Sequence, residues 1–256
     1  MSDKISVCMA TYNGEKYIKE QVDSIIKQLG PDDEIIVSDD GSKDSTLSIL
    51  KGFNDNRIKI LHHVSEGANS FERATNNFEN ALTNATGDTI FLSDQDDIWS
   101  DNKVRIMLEG LEKNLIVQCQ LLPFYTGKRN ECRLRIVKQN GFLPNLYMLP
   151  FVGCCLAFKS SLLKAILPFP KGIVAHDAWI GMVGVASGHY SFLENKSQLY
   201  RLHDDNVSGV SKSTNSFLFK LRYRWVILVN LIKRFVILKN IRYAEKGGQE
   251  FKERFD

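Results

Sequence analysis

The sequence predicts an α/β fold, with a mostly parallel, Rossmann-like central sheet flanked by helices. Three observations carry this expectation. Over the first hundred residues or so, apolar runs of strand length alternate with amphipathic runs of helical length, joined by short connections. Three apolar runs end in polar motifs: Thr11-Tyr12-Asn13, Asp39-Asp40, and Asp94 to Asp97. A parallel sheet would bring all three to one edge, where such sheets bind ligands. Finally, the C-terminal segment changes to a basic and apolar helical pattern.

Ile5 to Ala10 is the first predicted strand, buried on both faces. Thr11 to Gly14 is a turn, since Asn-Gly supplies the positive φ it needs. Glu15 to Gln28 places Tyr17, Ile18, Val22, Ile25 and Ile26 at helical spacing, and Gly30-Pro31 stops the helix. Glu34 to Ser38 is a second strand, Asp44 to Phe53 a second helix and Arg57 to Leu61 a third strand. After a polar loop over 62–70, Phe71 to Thr83 is a third helix, and Asp88 to Leu92 is the strand that delivers the acidic cluster. Asn102 to Lys113 predicts a helix and Leu115 to Leu122 a strand. Residues 123–145 are basic and broken, with Lys128, Arg129, Arg133, Arg135 and Lys138, and are expected to form an excursion that shapes an acceptor site. Phe151 to Phe158 predicts an apolar strand and Ser160 to Leu167 a short helix closed by Pro168 and Pro170. Ala175-His176-Asp177-Ala178-Trp179 opens an apolar helix that runs through Ala186. Tyr190 to Leu193 and Gln198 to Leu202 are short strands, and Arg201 and His203, two apart, share a face. The organisation expected is a catalytic domain over 1–210, with a nucleotide-binding half (1–100) and an acceptor-binding half (101–210), and a basic amphipathic helical extension over 211–256.

The chain has 256 residues and a net charge of +3, too small to argue for nucleic acid. Its five cysteines show no CxxC spacing and fall mostly in apolar runs, against a disulfide framework or a structural zinc site. The start, MSDKISVCMATYNG, lacks the apolar core of a signal peptide, so a cytoplasmic location is expected. No uncharged apolar stretch approaches the eighteen or so residues of a membrane span. The sequence has neither GxGxxG nor GxxxxGK[ST], which removes dinucleotide and P-loop chemistry.

Asp94, Asp96 and Asp97 place three carboxylates within four residues. Such groups raise one another's pKa unless a positive charge sits between them, and oxygen ligands suit magnesium, manganese or calcium. The competing reading is an acidic loop that caps the next helix. Asp177 can be read as an N-cap of the helix beginning at Ala178. His176 reads as a structural or orienting residue, His62-His63 as solvated, and Trp99 and Trp179 as core. Arg201 could pair with phosphate and His203 ligate a metal, or both could lie on a polar strand end facing solvent.

Taken together, SVCMATYNGEKYIKEQVDSI, VSDDGSKDST, FLSDQDDIW with Lys103, FVGCC, AHDAW and YRLHDDNVSG resemble the family-2 glycosyltransferases of the GT-A fold, and more narrowly their bacterial rhamnosyltransferase-like branch. The resemblance covers roughly Ile5 to Gly209. It implies sugar transfer from a nucleoside-diphosphate sugar to a saccharide acceptor in surface polysaccharide synthesis, with inversion and with Mn2+ or Mg2+ as cofactor. It implies that Thr11, Tyr12 and Asn13 line the nucleotide pocket, that Asp39 accepts a hydrogen bond from the base and that Asp40 supports the turn. Asp94 and Asp96 match the metal and nucleotide-sugar motif, with Asp96 the direct ligand, while Asp97 would hold the sugar or ribose and Asp177 is the base. Ala178 departs from the pattern, since many relatives have tryptophan there, and the segment from Leu115 to Tyr147 matches poorly.

Two rivals are weaker. A nucleotidyltransferase needs a glycine-rich basic loop that Thr11 to Gly14 does not supply. A non-catalytic carbohydrate-binding module at the membrane surface needs no base at Asp177. In the segment Phe217 to Tyr243, Leu218, Leu221, Trp225, Leu228, Ile232 and Phe235 form an apolar stripe beside Lys220, Arg222, Arg224, Lys233, Arg234, Lys239 and Arg242. This predicts peripheral docking on the inner face of the cytoplasmic membrane, with packing on the catalytic domain as the alternative.

Overall fold

The computed structural model describes residues 3–65, 67–125, 134–203 and 216–242. In chain order the elements are β1 (Ile5–Thr11), α1 (Ile18–Ile26), β2 (Glu34–Asp39), α2 (Thr46–Gly52), β3 (Ile58–His62), α3 (Ser70–Thr83), β4 (Thr89–Ser93) and β5 (Ile98–Trp99). There follow α4 (Lys103–Leu111), β6 (Ile116–Tyr125), α5 (Phe142–Met148), β7 (Leu156–Lys159), α6 (Leu163–Ile166), α7 (His176–Ser187), β8 (Tyr190–Leu202) and α8 (Phe217–Lys233). The strands form one sheet in the order β3-β2-β1-β4-β7-β6-β8-β5. Pairing is parallel from β3 through β4 and between β6 and β8, and antiparallel at β7 and β5.

Alternation along the strands splits the core into two layers. Cys8, Ile36, Ile90 and Leu92 face α3 and α7, while Val7, Met9, Ile35, Val37 and Phe91 face α1 and α4. The strands are apolar on both faces because both faces are covered. Parallel pairing of β2, β1 and β4 puts their carboxyl ends side by side, as the sequence predicts.

Three predicted elements differ. The apolar run from Phe151 is not one strand: Gly153–Cys155 is a tight 3-10 turn and only Leu156–Lys159 pairs. Gly153 lies so close to the His176 ring that a Cβ would sit 2.7 Å from Nε2, so the turn passes the ring at a distance that favours glycine. The two short strands after Tyr190 are one strand, β8, whose polar middle, Glu194 to Lys196, is an exposed irregularity opposite Cys119 and Gln120. Within the basic excursion, β6 continues to Tyr125 and α5 forms over Phe142–Met148, while Lys128, Arg129 and Arg133 lie outside the described residues.

The C-terminal helix packs on the core along one side, the alternative reading, and leaves an apolar stripe exposed on the other. Tyr223, Ile227 and Leu231 of α8, followed by Leu238 and Ile241, pack into the core beside α7. The stripe of Leu218, Leu221, Trp225, Ile232 and Phe235 lies on the opposite, exposed side, with Leu228 half-buried. Three of the basic residues face the protein. Arg224 donates to the Tyr147 carbonyl (3.0 Å), Arg234 to the carbonyls of Ala165 (2.5 Å), Leu167 (3.0 Å) and Pro168, and Arg242 to those of Ser187 (2.6 Å) and Ala186. The last two groups satisfy carbonyls at the C-terminal ends of α6 and α7, where a cation is favoured. Among the described residues no helix is long and apolar enough to cross a membrane.

Candidate active site

The loops after β1 and β2 are laced together. Asn13 adopts the positive φ that the turn needs (48°). Its N–H donates to Ser42 Oγ and its Oδ1 accepts from Lys43 N–H. Gly14 N–H donates to Thr46 Oγ1, and Ser45 N–H to Glu15. Asp39 accepts from the N–H groups of Gly41 (3.0 Å) and Ser42 (2.9 Å) and from the hydroxyls of Ser42 (2.5 Å) and Thr11 (3.2 Å). The turn is therefore held by Asp39, not by Asp40. Asp40 instead accepts from Ser65 N–H (2.6 Å) and from Arg73 Nε (2.9 Å), and the Arg73 guanidinium covers the half-exposed Tyr12 ring at 4.8 Å. Of the histidine pair only His62 is exposed; His63 is half-buried and donates its N–H to the Asp39 carbonyl.

A third loop joins from β4. Gln95, at the centre of the acidic motif, accepts from Tyr12 N–H (2.9 Å) and donates to Tyr12 O (3.1 Å). A Cβ on Gly14 would lie 2.4 Å from the Gln95 amide oxygen, so this close approach requires glycine. Asp94, Asp97 and the Cys154 thiol come within 4.8 Å of one another. Burial, and then the charges of Asp97, Asp96 and Asp177, push the Asp94 carboxyl well above its ordinary range. Burial and Asp96 push Asp97 up to about 7. Asp97 nevertheless accepts from Gln198 Nε2 (2.8 Å) and Arg201 N–H (2.8 Å), so both its oxygens have protein donors.

Asp96 Oδ2 lies 2.8 Å from His203 Nε2. Arg201, only 3% exposed, is not on a solvent-facing strand end. It donates to the Asp96 carbonyl (2.7 Å) and to Glu20 (2.5 Å), and its guanidinium lies 4.7 Å from the centres of both the Tyr17 and Phe124 rings. Among the described residues the ligand atoms that lie together closely enough for one ion are those of Asp94, Asp97 and Cys154, whereas the expected ligands Asp96 and His203 pair with each other and are not part of that group. Asp94 and Asp97 are held above their normal pKa by burial first and by neighbouring carboxylates second, and the second of these is the condition that a cation relieves.

Asp177 sits in the first turn of α7, where Ala175, not Asp177, is the N-cap. Its Oδ1 accepts from Ala178 N–H (2.7 Å), and burial raises its pKa to about 6. Tyr223 of α8 donates to the Ala175 carbonyl (3.1 Å), so the C-terminal helix braces the turn that carries Asp177. His176 stacks on Phe78 (4.0 Å), and burial holds its pKa down to about 3, which keeps the ring neutral and structural. Trp99 and Trp179 are core residues.

Lys103 is part of the motif that carries the family resemblance, but its role, like those of Gln95 and Glu20, was not apparent from the sequence. Lys103 is fully buried and donates to the Cys154 carbonyl (2.6 Å) and to Gln198 Oε1, linking the turn after Val152 to the partner of Asp97. Its signal is a lysine at an inward position of an amphipathic helix. Gln95 and Glu20 carry no such signal. Asp204, Asp205 and the remainder of the motif to Gly209 lie outside the described residues.

A family model described as glycosyl transferase family 2 matches residues 6–167. The dTDP-rhamnosyl transferase RfbG of Shigella flexneri is 29% identical over 234 residues, 86% of this chain and 78% of that protein. UDP-Glc:alpha-D-GlcNAc-diphosphoundecaprenol beta-1,3-glucosyltransferase WfgD of Escherichia coli is 37% identical over 112 residues, 44% of this chain and 42% of that one. Among solved structures, S. aureus TarS 1-349 in complex with UDP superposes with a TM-score of 0.65 at 21% identity, covering 90% of this chain and 65% of that one. Glucosyl-3-phosphoglycerate synthase from Mycobacterium tuberculosis, in complex with Mn2+, UDP and phosphoglyceric acid, gives 0.53 at 20% identity, covering 91% and 80%. At such identities these two likenesses show the fold, which is GT-A.

Proposed function

Because this chain belongs to glycosyl transferase family 2, we propose that it is an inverting, metal-dependent enzyme that moves a sugar from a nucleoside diphosphate to a hydroxyl of a saccharide acceptor. One observation supports this most. The charge of Asp177 on α7 is among those that raise the Asp94 carboxyl after β4, behind burial, Asp97 and Asp96, so a candidate base and a candidate cation site are electrostatic neighbours although they are far apart in sequence. Thr11, Tyr12, Asn13, Asp39 and Asp40 form the nucleotide wall, in the half spanning 1–100. Asp94, Asp97 and Arg201 order the diphosphate-sugar end, and residues 101–210 carry the acceptor.

Asp96, Asp94 and His203 are the cation ligands, with Mn2+ or Mg2+ as the ion. A divalent ion there supplies Lewis-acid neutralisation of the charge that develops on the leaving diphosphate. Asp177 accepts the proton of the acceptor hydroxyl as that oxygen attacks the anomeric carbon. A base with a pKa of about 6 is ionised at neutral pH yet basic enough to assist. Direct displacement inverts the anomeric centre.

The likeness to RfbG favours a dTDP-deoxyhexose such as dTDP-rhamnose as donor. The likeness to WfgD favours an acceptor carried on diphosphoundecaprenol, within surface polysaccharide synthesis. Such an acceptor places the enzyme at the inner face of the cytoplasmic membrane, with the exposed stripe of α8 as the contact. The test is a panel of dTDP-rhamnose, UDP-glucose and GDP-mannose, scored for release of the nucleoside diphosphate with and without Mn2+. One donor should turn over only with the ion; no turnover of any donor by the parent protein under either condition removes the enzymatic reading.

A further inference from the structure

Between them, α5 and α8 form an open apolar groove of about 850 Å³. Leu143, Leu146 and Tyr147 line one wall, and Leu218, Leu221 and Trp225 the other. These residues are largely open to solvent: Leu143 is 73% exposed, Leu218 74% and Trp225 65%. A concave apolar surface of this size lies within the range of small-molecule sites, roughly 300–1,000 Å³, and an exposed apolar patch of this kind marks a contact that the isolated chain does not show.

We propose that this groove binds the isoprenoid chain of a lipid-diphosphate-linked acceptor and delivers its saccharide end to Asp177. The proposal rests on the glycosyltransferase reading above. The first supporting observation is position. The inner side of the same stretch of α8 carries Tyr223, whose hydroxyl reaches Ala175, two residues before Asp177. The groove and the turn that carries Asp177 therefore lie on opposite sides of α8, whose own width is ~10 Å. A chain lying in the groove leaves its diphosphate and first sugar to bridge that interval.

The second observation is charge. No acidic residue lines the groove, and Arg222 and Arg224 stand on it. Arg224 is engaged with the carbonyls of Tyr147 and Lys220, whereas Arg222 has no hydrogen bond or ion pair among the described residues. From Asn206 to Ala244 the sequence contains no Asp or Glu. An apolar occupant with an anionic head matches both the walls and the charge. A second copy of this chain would instead bring an identical basic segment against this one.

Trp225 provides the readout, because the other two tryptophans, Trp99 and Trp179, are fully buried. The probe is farnesyl diphosphate titrated into the full chain, with inorganic diphosphate as the control for head-group binding. The expected result is a saturable blue shift of Trp225 emission, with affinity at least tenfold above that of inorganic diphosphate. Leu143→Glu and Leu221→Glu, both at exposed positions, should each weaken it at least tenfold while leaving the melting temperature unchanged. Two results overturn the proposal: farnesyl diphosphate binding no tighter than inorganic diphosphate, or either substitution leaving the isoprenoid affinity intact. Sedimentation with anionic phospholipid vesicles separates the two lipid sources; vesicle binding that depends on Leu221 without any saturable isoprenoid site also overturns it. Nucleotide-sugar hydrolysis is measured in parallel and should be unaffected by both substitutions, so failure of the groove is distinguished from failure of the glycosyltransferase reading.

Discussion

Two pairs of aspartates stand at the same edge of one sheet and are treated in opposite ways. Asp39 and Asp40, at the end of β2, are surrounded by donors: two N–H groups and two hydroxyls on Asp39, and Ser65 and Arg73 on Asp40. Asp94 and Asp97, after β4, are buried close to other acids, and burial followed by those charges raises both, even though Asp97 accepts from Gln198 and Arg201. The first pair stabilises loops; the second stores charge that a bound cation would relieve. Carboxylates of one sequence motif class thus divide into scaffold and chemistry according to what faces them, not according to how acidic the motif is.

The contrast is sharpened by substitutions that should have unequal effects. Asp177→Asn should have the largest, lowering the transfer rate by about 10³-fold, in the range for loss of a general base. Donor affinity measured by calorimetry should barely change, because the group acts in the transition state. The same residue sets a pH dependence. With a pKa of about 6 in the folded protein, Asp177 is protonated below that value, so transfer should rise through pH 6 and level off above it. A rate unchanged between pH 5 and pH 8 would show that another group takes the proton.

Next in size, Asp96→Asn and His203→Ala should each weaken Mn2+ binding by about 10–100-fold, comparable to losing an important ligand-shell interaction, without lowering stability in the absence of metal. Asp39→Ala should do the reverse. It leaves several donors unpaired and should cost about 1–3 kcal/mol in urea unfolding, with Mn2+ affinity preserved. If Asp39→Ala abolished metal binding while leaving stability intact, the division into scaffold and charge store would be broken.

The smallest expected effect is a linkage. In metal-free protein Asp97 keeps its proton to about pH 7, whereas an unfolded carboxyl ionises near pH 4. Its contribution to stability is fully present below the unfolded value and is lost as pH rises through 7. A cation bound at the cluster offsets that loss, so Mn2+ should raise the melting temperature by a few degrees more at pH 8 than at pH 5.

Much of this was legible in the sequence where structure is local. The alternation of strands and helices up to β4, the common edge for its three polar motifs and the acidic cluster follow from apolar periodicity and turn residues. What was not legible depends on contacts distant in sequence. The run from Phe151 looks like a strand because it is apolar throughout, yet its first half turns at Gly153–Cys155, packed against the ring of His176, which is distant in sequence. The pairing of Gln95 with Tyr12 and the buried bridge from Lys103 to Gln198 have no local pattern. In α8 the apolar stripe headed by Leu218 is real but exposed, because a second stripe through Tyr223, Ile227 and Leu231 packs inward. A helix apolar on two sides does not reveal which side is covered. Arg224, Arg234 and Arg242 read as surface charge but cap backbone carbonyls, which a list of basic residues cannot distinguish.

The most direct test of the charge-store account is calorimetric titration of dTDP and of UDP into chelator-stripped protein, repeated after Mn2+ is restored. Neutralising Asp94 and Asp96 should make at least one of the two nucleotides bind tenfold or more tighter with the ion present, and Asp96→Asn should erase the difference. Equal affinities with and without Mn2+ for both nucleotides would contradict the account.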